Sequence, residues 1–349
     1  MKISDIDVNF SIQGIPSDTE IEYFDVNNAP FSVFGVAFDG ETYKRMPYDK
    51  AKDVSESVGY LACNSAGGRV AFSTDSDCIA IIAEMDKVSH MPHFTTLGSS
   101  GFDLYSDGRY YASFMPDCKM ETGYGSIINF GEKKKRNILI NFPLYSEVKK
   151  LHIGLKPNSV LNEYNPYKSL PPIVYYGSSI TQGGCASRPG NAYQAEISRN
   201  NGIDFINLGF SGSALGEENM AQYIAELQMT AFVLDYDHNA PTVEHLKNTH
   251  EKFYRIIRQK HKDLPVVFVT RPDFSGTATV EERRKIVYNT YIQAKNSGEN
   301  VAFVDGKDFN EGISYDFGTV DGSHPNDLSF YLMAVKIGKA IDSILHCNK

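Results

Sequence analysis

The chain contains no tryptophan and no Cys-x-x-Cys pair, and no apolar run approaches the roughly 20 residues of a membrane span. Its five cysteines, at 63, 78, 118, 185 and 347, are scattered and odd in number. That excludes the usual zinc spacings and reads most simply as a reduced, cytoplasmic chain. Basic side chains are in the minority: 34 Lys and Arg against 43 Asp and Glu leave a net charge of −9. Such a balance argues against nucleic-acid binding and against adhesion to an anionic membrane. The opening Met1-Lys2-Ile3-Ser4-Asp5-Ile6-Asp7 puts two carboxylates where a secretory signal needs an apolar core, so none is visible. There is no internal repeat and no low-complexity tract.

What is present describes an ordinary globular chain. Its 349 residues are 42% hydrophobic and 22% charged, enough for about two domains with their own cores. The two halves read differently. Apolar residues in the first half fall in short runs at 32–38, 58–63, 69–73, 78–84, 102–105, 109–114, 137–142 and 148–155. Gly, Asn, Asp and Ser separate them. Ser106-Asp107-Gly108 between two aromatic-rich runs is a hairpin signal. Short strands at this spacing predict an all-β sandwich or jelly roll over 1–165. The run Lys133-Lys134-Lys135-Arg136 reads as a solvated hairpin turn.

From 173 onward, strand-like and helix-like segments alternate. Strands are expected at 173–176, 204–208, 231–236, 265–270 and 301–305, with helices near 192–199, 217–228, 243–260, 280–295 and 328–345. This alternation predicts a parallel five-stranded sheet with helices on both faces, over 166–349. A stretch ending in Pro171-Pro172 reads as the linker between the halves.

An open parallel sheet binds its ligand outside the carboxyl ends of its strands. The loops that follow the expected strands carry Gly177-Ser178-Ser179, Gly209-Phe210-Ser211-Gly212, Asp237-His238-Asn239, Arg271-Pro272-Asp273 and Asp321-Gly322-Ser323-His324. Together they hold a serine, an imidazole, a carboxylate and an amide, which is what acyl transfer through serine requires. In that reading Ser179 is the nucleophile, His324 its base, and Asp321 the group that orients the base. The backbone N–H groups of Ser179 and Gly212 and the amide of Asn239 are the candidate oxyanion donors. Thr181 stands where a Gly-x-Ser-x-Gly elbow would need its last glycine, so the α/β-hydrolase motif is absent.

These blocks resemble the SGNH hydrolases, the GDSL esterase/lipase superfamily. Ser179 in Gly-Ser-Ser-Ile, Gly212, Asn239 and the Asp321-x-x-His324 pair occur in that family's order. Two blocks depart from its pattern: Ser178 replaces the Asp of Gly-Asp-Ser, and Asp237-His238-Asn239-Ala240 replaces Gly-x-Asn-Asp. Gly101-Phe102-Asp103-Leu104-Tyr105 is similar to the Gly-x-Asp-Leu-Tyr motif of a β-sandwich domain found ahead of such esterases. The resemblance implies a flavodoxin-like α/β/α sandwich behind a jelly-roll-like domain. It also implies a bacterial carbohydrate esterase that removes acetyl groups from plant-polysaccharide fragments, with no cofactor and no metal.

Arg188 and Arg271 are the expected substrate-binding residues, with binding at the domain interface the alternative for Arg188. Asp103 is read mainly as a backbone hydrogen-bond acceptor beside an inward Leu104. His90 and His93 lack an evident third metal ligand, and Cys185 is read as a small loop residue. The expected partner is an acetylated oligosaccharide; a homo-oligomer stays open. The same triad serves an aryl or lipid esterase or an acetyltransferase. A binding protein with a vestigial site is the alternative of another class.

Overall fold

The computed structural model describes residues 20–117, 119–274 and 277–346. Contacts divide the chain into two units. The first takes in the chain up to Arg45, then Cys63–Tyr167 and Ser187–Gly190; the second takes in Met46–Ala62, Lys168–Ala186 and the chain from Asn191 on. The sequence alone places one boundary, at 165/166. The contacts instead trade two short segments between the units.

The first unit is a sandwich of two antiparallel sheets. One orders the strands Glu22–Asp25, Val148–Leu155, Cys78–Met85 and Gly123–Asn129. The other orders Leu161–Asn162, Arg69–Thr74, Arg136–Asn141, Phe102–Ser106 and Arg109–Phe114, with Ser32–Phe34 also pairing to Arg69–Thr74. Alternation explains why these segments are strands. Ile138 and Ile140 join the core that holds Phe72, Phe102 and Phe142, while Leu139 turns to the other face with Ala71 and Tyr105. Asp107 and Gly108 both have positive φ, at 50° and 78°, as a two-residue hairpin turn demands.

Three local expectations change. Residues 58–63 are not a strand: Glu56–Ala62 is a helix that follows another at Tyr48–Val54. Val58 and Ala62, one helical turn apart, join Ala51 in the second unit's core. A continuous apolar run cannot separate helix from strand by itself, and here the i, i+4 pair decides. The basic run at 133–136 is no hairpin, because Gly123–Asn129 and Arg136–Asn141 belong to different sheets. Arg136 is itself buried, its guanidinium 4.3 Å from the Phe130 ring centroid. The Gly123–Asn129 strand was not anticipated, since its two glycines obscure the alternation.

The second unit holds a fully parallel sheet ordered Phe205–Gly209, Ile173–Gly177, Ala231–Asp235, Val266–Val269, Val301–Val304. All but the last, an edge strand, read as near-continuous buried runs, as strands covered on both faces do. Helices Glu218–Glu226, Val243–Lys260 and Ala278–Asn296 pack in sequence; Tyr193–Asn201 and Asp327–His346 form a second packed pair. The first strand in sequence lies second in the sheet. Its carboxyl end is therefore the point where chain connections diverge and a crevice opens. Among the described residues no helix is long and apolar enough to cross a membrane.

Candidate active site

Ser179 begins a four-residue helix, Ser179–Gln182, directly after the Ile173–Gly177 strand. Ser178 is its cap: its Oγ accepts the Ile180 N–H at 3.1 Å, the work an Asp would do at this position. Gly177 is needed because a Cβ there would lie 2.0 Å from Thr181 Oγ1 and 2.3 Å from the Asp235 carbonyl oxygen. Thr181 Oγ1 and Tyr193 OH donate to Asp235 Oδ2 at 3.0 and 3.1 Å. Burial, and then the charge of Asp237, push the Asp235 carboxyl well up. Gln194 Nε2 and Asn207 Nδ2 both donate to the Thr181 carbonyl, at 2.6 and 2.8 Å. The serine turn is thus held from below by buried polar groups.

The candidate acid and base, Asp321 and His324, come from one bracketed loop. A bridge between Thr319 and Pro325 closes it, and the Val320 N–H donates to the His324 carbonyl at 3.0 Å. Asp321 Oδ1 accepts the Ser323 and His324 N–H groups at 2.9 and 2.7 Å. Its Oδ2 lies 2.8 Å from His324 Nδ1. His324 Nε2 then lies 3.0 Å from Ser179 Oγ. Partial burial works against the Asp321 charge, but the hydrogen bonds from His324 and Ser323 outweigh it and hold the carboxyl down at about 2. An ionised Asp321 accepts from Nδ1–H, which leaves Nε2 as the basic nitrogen.

Gly212 lies at an exposed turn after the Phe205–Gly209 strand. Gln182 Oε1 accepts the Ser211 N–H at 3.0 Å, and Asn239 Nδ2 donates to the Phe210 carbonyl at 2.9 Å. Both neighbours of Gly212's turn are therefore fastened to the loops bearing Ser179 and Asn239. Ser179, Asp321 and His324 form one hydrogen-bonded chain, and Asn239 is bonded directly to the turn that carries Gly212.

The two arginines sit differently. Arg188 belongs to the first unit, where its Nη1 donates to Asp103 Oδ2 at 2.7 Å and to Tyr105 OH at 2.6 Å. Its guanidinium lies 3.9 Å from the Tyr110 ring centroid. Asp103 is fully buried and also accepts from Asn141 Nδ2 and the Gly190 N–H, at 2.7 and 2.9 Å. A Cβ at Gly190 would meet Tyr105 OH at 2.5 Å and Asp103 Oδ2 at 2.6 Å. The Gly-x-Asp-Leu-Tyr motif therefore anchors the 187–190 loop: Asp and Tyr take the arginine, and Leu104 packs in the core. Arg271 follows the Val266–Val269 strand and donates its backbone N–H to Asp237 Oδ1 at 3.0 Å. Its Nε is buried without a hydrogen-bond partner.

Two residues at the site escaped the sequence reading. Gln182, inside the serine helix, links that helix to the Gly212 turn. His238, beside Asn239, places Nε2 3.1 Å from Ser323 Oγ. Cys185 is buried with φ +73°, its thiol pushed up to about 12 by burial and then by Asp321. It lies near Asp321 and His324 as a protonated thiol.

The fold is that of an SGNH-type hydrolase. The chain belongs to the GDSL-like lipase/acylhydrolase family, whose match spans residues 171–342. Residues 21–161 match the GxDLY domain found at the N-terminus of SGNH hydrolase-type esterases. A protein described as a GDSL-like lipase, from Bacteroides ovatus ATCC 8483, is similar over 93% of this chain and 98% of its own, at 32% identity and a TM-score of 0.83. The salicylyl-acyltransferase SsfX3 of a tetracycline biosynthetic pathway covers 93% of this chain and 97% of its own, at 19% identity and a TM-score of 0.75. A family two carbohydrate esterase from Clostridium thermocellum, solved with cellohexaose, covers 90% and 99% at 14% identity and a TM-score of 0.61. The last two share the fold. No curated protein matches the chain.

Proposed function

We propose that this protein is a serine esterase that removes O-acetyl groups from oligosaccharides, through an acyl-enzyme at Ser179. The observation that carries the mechanism is the unbroken path from Asp321 through His324 to Ser179, with steps of 2.8 and 3.0 Å. His324 Nε2 takes the Ser179 proton as Oγ attacks the acetyl carbonyl carbon. The oxyanion that forms is received by the Ser179 and Gly212 N–H groups and by the second Nδ2 hydrogen of Asn239. His324 returns the proton to the departing sugar oxygen, and the acetyl group stays on Ser179. Water then attacks the acyl-enzyme, His324 accepts its proton, and acetate leaves as Ser179 regains its own. Asp321 stays ionised throughout and stabilises the imidazolium.

The carbohydrate part of this reading draws on the cellohexaose-bound esterase of the same fold. An acetyl xylan esterase from Butyrivibrio proteoclasticus, with a TM-score of 0.60, supports it likewise. With no tryptophan, stacking on a sugar ring falls to Tyr or Phe. The test is acetate release from acetylated mannan and xylan oligosaccharides and from a chromogenic acetate ester, in the parent and in Ser179→Ala. Release from the sugars that stops in the variant is the expected result. Turnover of the chromogenic ester alone would discard the sugar assignment, and activity that persists in Ser179→Ala would discard the nucleophile.

A further inference from the structure

Three consecutive side chains after the Ala231–Asp235 strand each hold a different loop. Asp237 Oδ1 accepts the Arg271 N–H, and Asn239 Nδ2 donates to the Phe210 carbonyl, at 3.0 and 2.9 Å. Between them, His238 Nε2 meets Ser323 Oγ at 3.1 Å. The turn itself is fixed by Arg283, whose Nη1 donates to the Asp237 carbonyl at 2.6 Å. Ser323 stands one residue before His324 and shares Asp321 Oδ1 with it. Among the described residues, Ser323 Oγ has no other hydrogen-bond partner.

The geometry also says how His238 is used. Its Nδ1 is buried with no partner. A buried bare lone pair is tolerated better than an orphaned N–H. The ring proton therefore belongs on Nε2, and His238 donates to Ser323. Burial, followed by the charges of Arg271 and His324, pushes the ring down to about 3. His238 is neutral wherever a serine esterase works, so it is a fixed donor and not a second base.

We infer that His238 is a positioning residue, which sets the Asp321–His324 loop against Ser179 through Ser323 and keeps it in register with the Gly212 turn through its neighbour Asn239. The bracketed loop is exposed at Asp321 and Gly322, and His238 ties it to the rigid end of a central strand. A displacement of about 1 Å at such a base costs roughly 100-fold in rate. The consequence for turnover rests on the esterase reading above; the effect on Ser179 reactivity does not.

The experiment compares the parent with His238→Ala, Ser323→Ala, their double variant, and His238→Gln, whose amide reaches the place of Nε2. Two readouts are taken: kcat and KM on a chromogenic acetate ester, and the rate at which a fluorophosphonate labels Ser179. Each alanine variant should lose about tenfold or more in kcat and in labelling rate, with KM unchanged within about twofold. The double variant should be no slower than the slower single, and His238→Gln should recover most of the loss. Alanine variants that keep the parent's rates, or losses that multiply in the double variant, would overturn the inference. Should His238→Ala fail to fold, Ser323→Ala and His238→Gln decide the matter on the same terms. A parent that labels but hydrolyses no ester sinks the substrate reading alone, because the labelling rates still judge His238. A parent that does not label sinks both.

Discussion

Gln182 Oε1 accepts the Ser211 N–H at 3.0 Å, so the helix that begins with Ser179 also fastens the turn that carries Gly212. The proposed nucleophile and one proposed oxyanion donor are thereby tied to a single four-residue element. Gln182→Ala should lower kcat by about 10- to 100-fold with little change in KM, because it loosens a donor that matters most in the transition state. Steady-state kinetics on an acetate ester checks this. Equal losses in kcat and in substrate affinity would place Gln182 in ground-state binding instead.

Asn239 spends one amide hydrogen on the Phe210 carbonyl, and the proposed mechanism uses the other. Asn239→Ala should cost about 10²- to 10³-fold in kcat. Asn239→Asp should cost more, since an ionised carboxylate would face both the Phe210 carbonyl and the developing oxyanion. If Asp proves the milder substitution, the oxyanion assignment is wrong.

Asp237 is the site's pH-dependent liability. Burial dominates and pushes its carboxyl up to about 6, against the opposing charge of Arg271. A folded-state value above the unfolded 3.8 means that the native state holds the proton more tightly. The associated stability is present below about pH 4 and lost as pH rises through 6, on the order of 3 kcal/mol in all. Asp237→Asn keeps an acceptor for the Arg271 N–H and removes the titration. Denaturant unfolding at pH 4, 5, 6 and 7.5 should show the variant gaining on the parent as pH rises. A difference independent of pH would contradict this.

Asp103 and Arg188 form a pair whose carboxylate is fully buried. Arg188→Ala leaves that carboxylate with only Asn141 and the Gly190 N–H, and should destabilise the protein by about 3 kcal/mol. Arg188→Lys should recover only part, because an ammonium cannot reproduce the planar stacking of the guanidinium on Tyr110. Unfolding midpoints of the two variants and of Asp103→Asn test the pair. A loss below about 0.5 kcal/mol for Arg188→Ala would assign the arginine to substrate and not to structure.

Much of this was legible in the sequence, and what was not has physical reasons. The parallel strands stand out because buried strands are short unbroken apolar runs, such as Val266–Val269. Ser179, Gly212, Asn239, Asp321 and His324 come forward because sheet topology gathers the loops after those strands. The contacts of Arg188 did not come forward. A strand-borne Asp103 and a loop 85 residues later show no local pattern, and only the fold brings them together. Gln182 reads as an ordinary helix residue, and His238 as a neighbour of Asn239, because the partner of each lies in another loop. The 58–63 run was misread because six mostly apolar residues fit either period, and what they pack against makes the choice.

The two traded segments bear on inheritance. Residues 46–62 lie within the first half of the chain yet supply Ala51, Val58 and Ala62 to the second unit's core, while Ser187–Gly190 complete the charge balance around Asp103 in the first. Neither unit is a contiguous stretch that can be cut out whole. A gene rearrangement that joined the hydrolase to a different leading domain would remove Met46, Ala51, Val58 and Ala62 from the core of one unit and strand a buried carboxylate in the other. A single cut between the two matched regions would therefore disturb the interior of both units.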